Sequence, residues 1–332
     1  MFPRPVILCL DTLRRNGFAA YPVGGCVRDT LLGRTPGDWD VATSARPEQT
    51  QALFPRTVPT GIAHGTITVL LENASLEVTT FRREEGYGDG RHPDRVSFNV
   101  GLGEDLARRD FTVNAMAFGP EEEVIDLFGG QADLSRRLIR AVGRPERRFS
   151  EDALRILRAI RFAAQLGFSL EEATAQAMDT CAHGLSLISS ERIIAELEKT
   201  LLSPAPRWAG EFFRLGAMAR FGCEAKDANW PALDSLPPED GRRWETLCAL
   251  TGLDIAALPV SRAIRRAVLH PHAGEEKKLS LSGGDLVALG FSGPEVGRVQ
   301  KSLLAHVLAT PADDRPDILR ALALKLQKQR QE

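Results

Sequence analysis

The spacing of apolar residues changes near residue 145, and this change restricts the architecture more than any other feature of the 332-residue chain. Upstream, the apolar stretches are short, at 19–23, 38–42, 66–71 and 76–81, and the last two are rich in β-branched residues. Each has strand length and is bounded by glycine, asparagine or charged residues. The last two flank Asn73 and predict a hairpin. Short helices are expected at 27–32, halted by Gly33, and at 47–54, with Ser44 near the N-cap and Pro47 in the first turn. Residues 84–95 hold three glycines and a proline and are expected to form a mobile loop. Downstream, Leu154, Leu157, Ile160, Ala163 and Ala164 fall on one face of a helix expected over 151–166 and ended by Gly167. The same spacing continues through 170–182 and 190–202, and Pro204 and Pro206 mark a boundary. The expected fold class is therefore α+β: a mixed-sheet domain over 1–140, a helical segment over 141–203 and a helical remainder over 204–332.

The chain is nearly neutral, with 42 Lys+Arg against 44 Asp+Glu. That balance excludes a protein that coats polyanions over its whole surface. The charge is nonetheless uneven, since nine arginines and only three acids lie between Arg136 and Arg161. Such a cluster points to a local polyanion site, and guanidinium suits phosphates and base edges. The five cysteines are widely spaced and contain no CxxC pair, which excludes a disulfide framework and a cysteine-rich zinc site. The apolar run from Val6 to Leu10 is too short for a secretory segment, and no run reaches the roughly 18 residues needed to cross a bilayer. The expected location is the cytoplasm, with no membrane partner and no protein partner.

Gly24-Gly25-Cys26-Val27-Arg28-Asp29 follows the first strand-like run. Glycines at a strand end let backbone N–H groups approach an anion, and the start of the next helix adds its positive dipole end. Arg28, one turn in, reaches the same anion. Asp38 and Asp40 are one residue apart, and on a strand they point to one face. Two carboxylates so placed repel unless a cation lies between them. Hard oxygen ligands in this arrangement suit Mg²⁺, which keeps several waters and completes its shell with substrate phosphates. Alone, a glycine pair is most often a turn and a DxD a pair of solvated acids. Together within 17 residues they place a triphosphate cradle beside a metal site. Glu77, on another expected strand, is a candidate third carboxylate, and Cys26 is expected to be a packed core thiol rather than a nucleophile.

These motifs resemble those of class II nucleotidyltransferases, the tRNA CCA-adding enzymes and bacterial poly(A) polymerases. The likeness rests on GGCVRD followed eight residues later by DWD, and on Arg108-Arg109-Asp110-Phe111-Thr112-Val113-Asn114-Ala115. It continues through Asp126-Leu127-Phe128-Gly129-Gly130, the stretch from Glu151-Asp152 to Arg161-Phe162, and Ser190-Glu191-Arg192. The resemblance implies a polymerase β-like head followed by a helical neck, body and tail. It implies Asp38 and Asp40 as Mg²⁺ ligands, with Glu77 as the third catalytic acid. It assigns Gly24, Gly25 and Arg28 to the triphosphate, Arg109 to the incoming nucleotide, and Asp110 and Asn114 to its sugar. Asp152 and Arg155 become the base readers, with Arg158 and Arg161 left to meet phosphate.

The chemistry of base choice agrees with this assignment. Cytosine and adenine both present an exocyclic amine beside an unprotonated ring nitrogen. A carboxylate accepts from the first while a guanidinium donates to the second. Uracil and guanine reverse both groups, and each lost buried partner costs about 1–3 kcal/mol. The expected activity is template-independent addition of C and A to the 3′ end of tRNA from CTP and ATP, with release of pyrophosphate. Partial CC or A addition and poly(A) synthesis are the near alternatives; a small-molecule nucleotidyltransferase and a non-catalytic RNA-binding module are the distant ones. Gly61-Ile62-Ala63-His64-Gly65-Thr66 resembles the CCA-adding branch.

Overall fold

The computed structural model describes residues 2–86, 95–225, 227–238, 240–270, 279–310 and 313–328. The chain divides into two units, Met1–Arg265 and Arg266–Glu332. The first unit opens with α1 (Arg4–Arg15), β1 (Ala20–Val23), α2 (Gly25–Leu31), β2 (Asp40–Thr43) and α3 (Pro47–Leu53). Then come β3 (Thr57–Gly61), β4 (Thr66–Leu71), β5 (Ala74–Thr80), β6 (Arg83–Glu85) and β7 (Arg95–Ser97). After α4 (Leu102–Ala107) follow β8 (Met116–Phe118), β9 (Val124–Asp126) and α5 (Gly130–Arg136).

Seven strands form one sheet in the order β3-β4-β5-β2-β1-β8-β9. Only β2 and β5 run parallel, and their register sets Asp40 beside Glu77. Paired residues of neighbouring strands project to the same face of a sheet, so these two acids share a face. The expected hairpin is present, closed by Glu72 and Asn73 between the paired Leu71 and Ala74. Glu72 takes the positive φ of 51° that a two-residue turn demands. One side of the sheet buries Val41, Ile67, Val69 and Val78 against Val6, Cys9, Leu10 and Leu13 of α1. The opposite side gathers Val23, Ala42, Phe81, Leu106 and Ala117. The alternation of apolar residues along the strands thus feeds two separate cores.

Several local expectations are corrected. The strand expected from residue 38 begins at Asp40. Ser44 does not cap α3, because its hydroxyl accepts the Ala19 N–H instead (2.9 Å). The loop expected over 84–95 starts and ends in paired strand, with Glu84 opposite Val96 and Glu85 opposite Arg95; residues 87–94 lie outside the described residues.

The helical part comprises a short parallel pair, β10 (Leu138–Ile139) with β11 (Ser169–Leu170), and a series of helices. These are α6 (Pro145–Glu151), α7 (Leu154–Leu166), α8 (Glu172–Cys181), α9 (Ser190–Leu201), α10 (Gly210–Arg214), α11 (Asp240–Thr251) and α12 (Arg262–Leu269). The helix expected over 151–166 is interrupted at Asp152, which is extended (φ −150°, ψ 106°). Its carboxylate accepts the Leu154 N–H and its carbonyl the Arg155 N–H (3.0 Å each), so it closes the first turn of α7 from outside. α7 buries Ile156, Leu157, Ala159, Ile160 and Ala163 completely, and it packs on α9, which buries Ile193 and Leu197. In the second unit, α13 (Gly283–Ala288), α14 (Pro294–Ala309) and α15 (Pro316–Lys328) share a small core of Leu286, Phe291, Leu303, Val307 and Leu319. Among the described residues no helix is long and apolar enough to cross a membrane.

Candidate nucleotide site

A cleft of about 690 Å³ opens in the first unit, where the ends of β1 and β2 face α7. Its sheet wall is built by the β1–α2 turn and by Asp38 and Asp40. Trp39, between the two acids, packs its ring edge against Phe2 (centroids 5.5 Å apart) within the α1 core. Its neighbours on either side, Asp38 and Asp40, both line the cleft. Gly24 holds φ at +82°, and a Cβ there would lie 2.6 Å from Nη1 of Arg109. Glycine at this position therefore serves both the turn and the close approach of a guanidinium. Cys26 beneath the turn is 2% exposed, and burial pushes its thiol up to about 11, as a packed core group requires.

The acids of this wall are incompletely balanced. Asp40 is raised to about 6, first by burial, then by repulsion from Glu77 and Asp38, with Arg109 alone opposing. Glu77 is exposed and sits one strand away. Among the described residues no group of three acidic, histidine or cysteine side chains lies close enough to hold an ion. The donor set is thus a pair of hard carboxylates, Asp38 and Asp40, whose negative charge Arg109 offsets only in part. That set fits a divalent cation whose remaining ligands are water and phosphate.

Arginines bound the rest of the cleft. Arg28 donates from Nε and Nη2 to the two oxygens of Asp29 (2.9 Å each) and from Nη1 to Asn114 Oδ1 (2.6 Å). Arg108 and Arg109 follow α4 and share the fully buried carboxylate of Asp105, at 2.8 and 3.4 Å. Glu84 accepts from Arg82 (2.6 Å) and from Arg108 (3.4 Å), tying β6 to the same wall. The buried Nε–H of Arg109 has no hydrogen-bond partner, a condition found where a ligand group is expected.

The helical wall presents Asp152, Arg155, Arg158 and Arg161 at intervals of three. Each is already engaged. Asp152 accepts from Arg192 of α9 (2.7 Å). Arg155 donates to Glu151 (2.6 Å) and to the carbonyls of Arg148 and Arg108. Arg158 pairs with Asp110 (2.6 Å), and Arg161 with Glu196 of α9 (2.5 Å). Arg158 and Arg161, expected to meet phosphate, thus each already hold a carboxylate. A buried guanidinium needs a counter-charge, and three-residue spacing lets neighbouring elements supply one to each. Burial pushes Asp110 up, but Arg158, Arg155 and the Asn114 amide outweigh it and hold the carboxyl down at about 2. Asp110 also accepts the Phe111 N–H (2.8 Å), so it closes the local turn and anchors Arg158 together.

Of the residues singled out in the sequence, all but Glu77 line this one cleft. Arg82, Glu84, Arg108, Leu154, Phe162 and Arg192 also line it and were not singled out as site residues. Arg108, Leu154, Phe162 and Arg192 lie inside the motif stretches, which was the available signal. Glu84 lies on β6 and Arg82 immediately before it, outside any motif, and nothing local marks them.

An α+β chain with a mixed sheet, a glycine turn and a pair of strand-end acids has the architecture of a polymerase β-like nucleotidyltransferase head. Residues 20–140 match the model for the "Poly A polymerase head domain", and residues 167–215 that for the "Probable RNA and SrmB- binding site of polymerase A". The chain is 54% identical over 201 residues to a CCA-adding enzyme of Anoxybacillus flavithermus, covering 60% of this chain and 51% of that one. It is 47% identical over 249 residues to a CCA-adding enzyme of Lactobacillus delbrueckii subsp. bulgaricus, covering 74% and 63%. The matched parts thus span between half and two thirds of these relatives' length. Its structure superposes on the Bacillus stearothermophilus CCA-adding enzyme in complex with CTP with a TM-score of 0.66 at 31% identity, over 100% of this chain and 99% of the other. The chain belongs to the family of class II tRNA nucleotidyltransferases, which groups CCA-adding enzymes with bacterial poly(A) polymerases.

Proposed function

We propose that the chain adds C and A to the 3′ end of tRNA, without a template, from CTP and ATP with release of pyrophosphate. One observation carries this reading: the acids Asp38 and Asp40 and the pair Asp152 and Arg155 line the same cleft. The curated relatives are named CCA-adding enzymes and the 31% identical structure holds CTP, which supports the same reading. On this reading the head is 1–140, the base-choosing neck 141–203 and the RNA-holding body and tail 204–332, and the protein works in the cytoplasm.

Asp38 and Asp40 hold the divalent ion, proposed as Mg²⁺, with Glu77 adding negative charge from the neighbouring strand. Bound there, the ion supplies a lowered pKa at the attacking hydroxyl and charge stabilisation at phosphate. The protein's own groups do the rest. The turn at Gly24 and Gly25, Arg28 and Arg109 take the triphosphate, while Asp110 and Asn114 face the sugar. Asp152, oriented by Arg192 and the Leu154 N–H, accepts from the amine of cytosine or adenine, and Arg155 donates to the adjacent ring nitrogen. Arg158 and Arg161 extend the positive wall along the phosphates. The 3′-hydroxyl of the RNA attacks the α-phosphorus in line, and pyrophosphate leaves toward the arginines.

Extension of tRNA transcripts ending before CCA, before CA and before A, with each nucleoside triphosphate alone and in pairs, tests the proposal. The expected result is C, C, A on the first and completion of the others. Extension of only one ending would leave a partial CC- or A-adding enzyme, and long A tracts on any RNA would leave a poly(A) polymerase.

A further inference from the structure

The cleft poses an electrostatic problem: eight arginines line it, five of them from outside the base-reading helix. Carboxylates hold most of them, including Arg28 by Asp29, Arg158 by Asp110 and Arg161 by Glu196, and any further carboxylate would cancel more of the charge that a triphosphate meets. Phe162 offers a different kind of support. Its ring lies 4.0 Å from the guanidinium carbon of Arg161, and 5.4 Å from those of Arg28 and Arg158. An aromatic face attracts cations through its quadrupole and removes none of their charge. The ring is itself fixed, 7% exposed at the cleft, with Phe111 set edge-on to it at 5.8 Å and wholly buried. Arg28 comes from α2, beside the glycine turn, whereas Arg158 and Arg161 come from α7, so this one ring is shared by guanidiniums of both walls.

We propose that Phe162 is a positioning residue for the triphosphate: its ring gathers the carboxylate-paired Arg28, Arg158 and Arg161 so that their remaining N–H donors face one anion. The proposal rests on the nucleotide reading above but is tested without RNA. The probe is inorganic tripolyphosphate, titrated against the full chain by calorimetry. The variants are Phe162→Leu and site-specific mono-, di- and trifluorophenylalanine at position 162. Fluorine drains the ring quadrupole while leaving its shape nearly unchanged, so a merely structural ring would bind equally throughout the series. The expected result is a stepwise loss of affinity with each fluorine, reaching about tenfold for Phe162→Leu. Should Phe162→Leu fail to fold, the fluorinated series alone decides. Equal affinity across that series, or no binding by the unaltered chain, overturns the proposal. Failure to extend any tRNA transcript while the fluorine dependence persists would remove the tRNA reading and leave this one standing.

Discussion

The two walls of the cleft carry charge in opposite conditions. On the sheet wall, Asp38 and Glu77 both repel Asp40, and Arg109 is the cation that relieves it. On the helical wall every acid has its arginine: Asp110 with Arg158, Glu196 with Arg161, Asp152 with Arg192. A wall left unbalanced is poised for an ion from solution. A balanced wall is stiff, and stiffness is what discrimination between bases requires, since hydrogen-bond selectivity depends on groups that do not rearrange for the wrong partner. Affinity for metal and selectivity for base are thus built from the same residue types by different degrees of compensation.

The sharpest way to break this comparison is Asp40→Ala. It removes half of the carboxylate pair and is expected to lower nucleotide incorporation by at least about 10³-fold, read by primer extension, with the melting temperature little changed. Unimpaired incorporation would show that the unbalanced wall has another purpose. On the balanced wall, Glu196→Ala strands Arg161, which is 8% exposed. A loss of about 3 kcal/mol is expected from urea unfolding, because an uncompensated buried charge remains.

A pH experiment sharpens the contrast further. Asp110 is depressed from 3.8 to about 2 in the folded protein, so its contribution is fully present above the unfolded value and disappears as pH falls from about 4 toward 2. By linkage that contribution is about 2 kcal/mol at neutral pH. Asp110→Asn is expected to be less stable by that amount at pH 7 and to lose less on acidification, compared by urea midpoints across that window. The smallest effect falls on selectivity. Asp152→Ala removes one of two base contacts and is expected to raise misincorporation of UTP relative to CTP by about tenfold, measured as a ratio of kcat/KM. An unchanged ratio would place base choice elsewhere in the cleft.

Much of the site was legible because its chemistry is written in short segments. The glycine turn, Arg28 and the DxD fall within 17 residues. Asp152 shows the limit of such reading. Periodicity places it on a helix with Arg155, whereas it lies in the break that ends α6 and closes the first turn of α7. Helical spacing cannot register a side chain that competes for backbone N–H groups. Arg82 and Glu84 were invisible for another reason: they reach the cleft only because β6 pairs with β7, and then through contacts with Arg108 and Asp105 far along the chain.

The sequence by itself determined the α+β division, the positions of the principal strands and the residue types that meet phosphate, metal and base, because these depend on local period and on the chemistry of neighbouring side chains. The tertiary structure decided which arginine answers which carboxylate, that Glu77 stands beside Asp40 in register, and that one phenylalanine lies against three guanidiniums. Those choices depend on distances between segments tens of residues apart, and burial gives such pairings their strength only once the chain has closed around them.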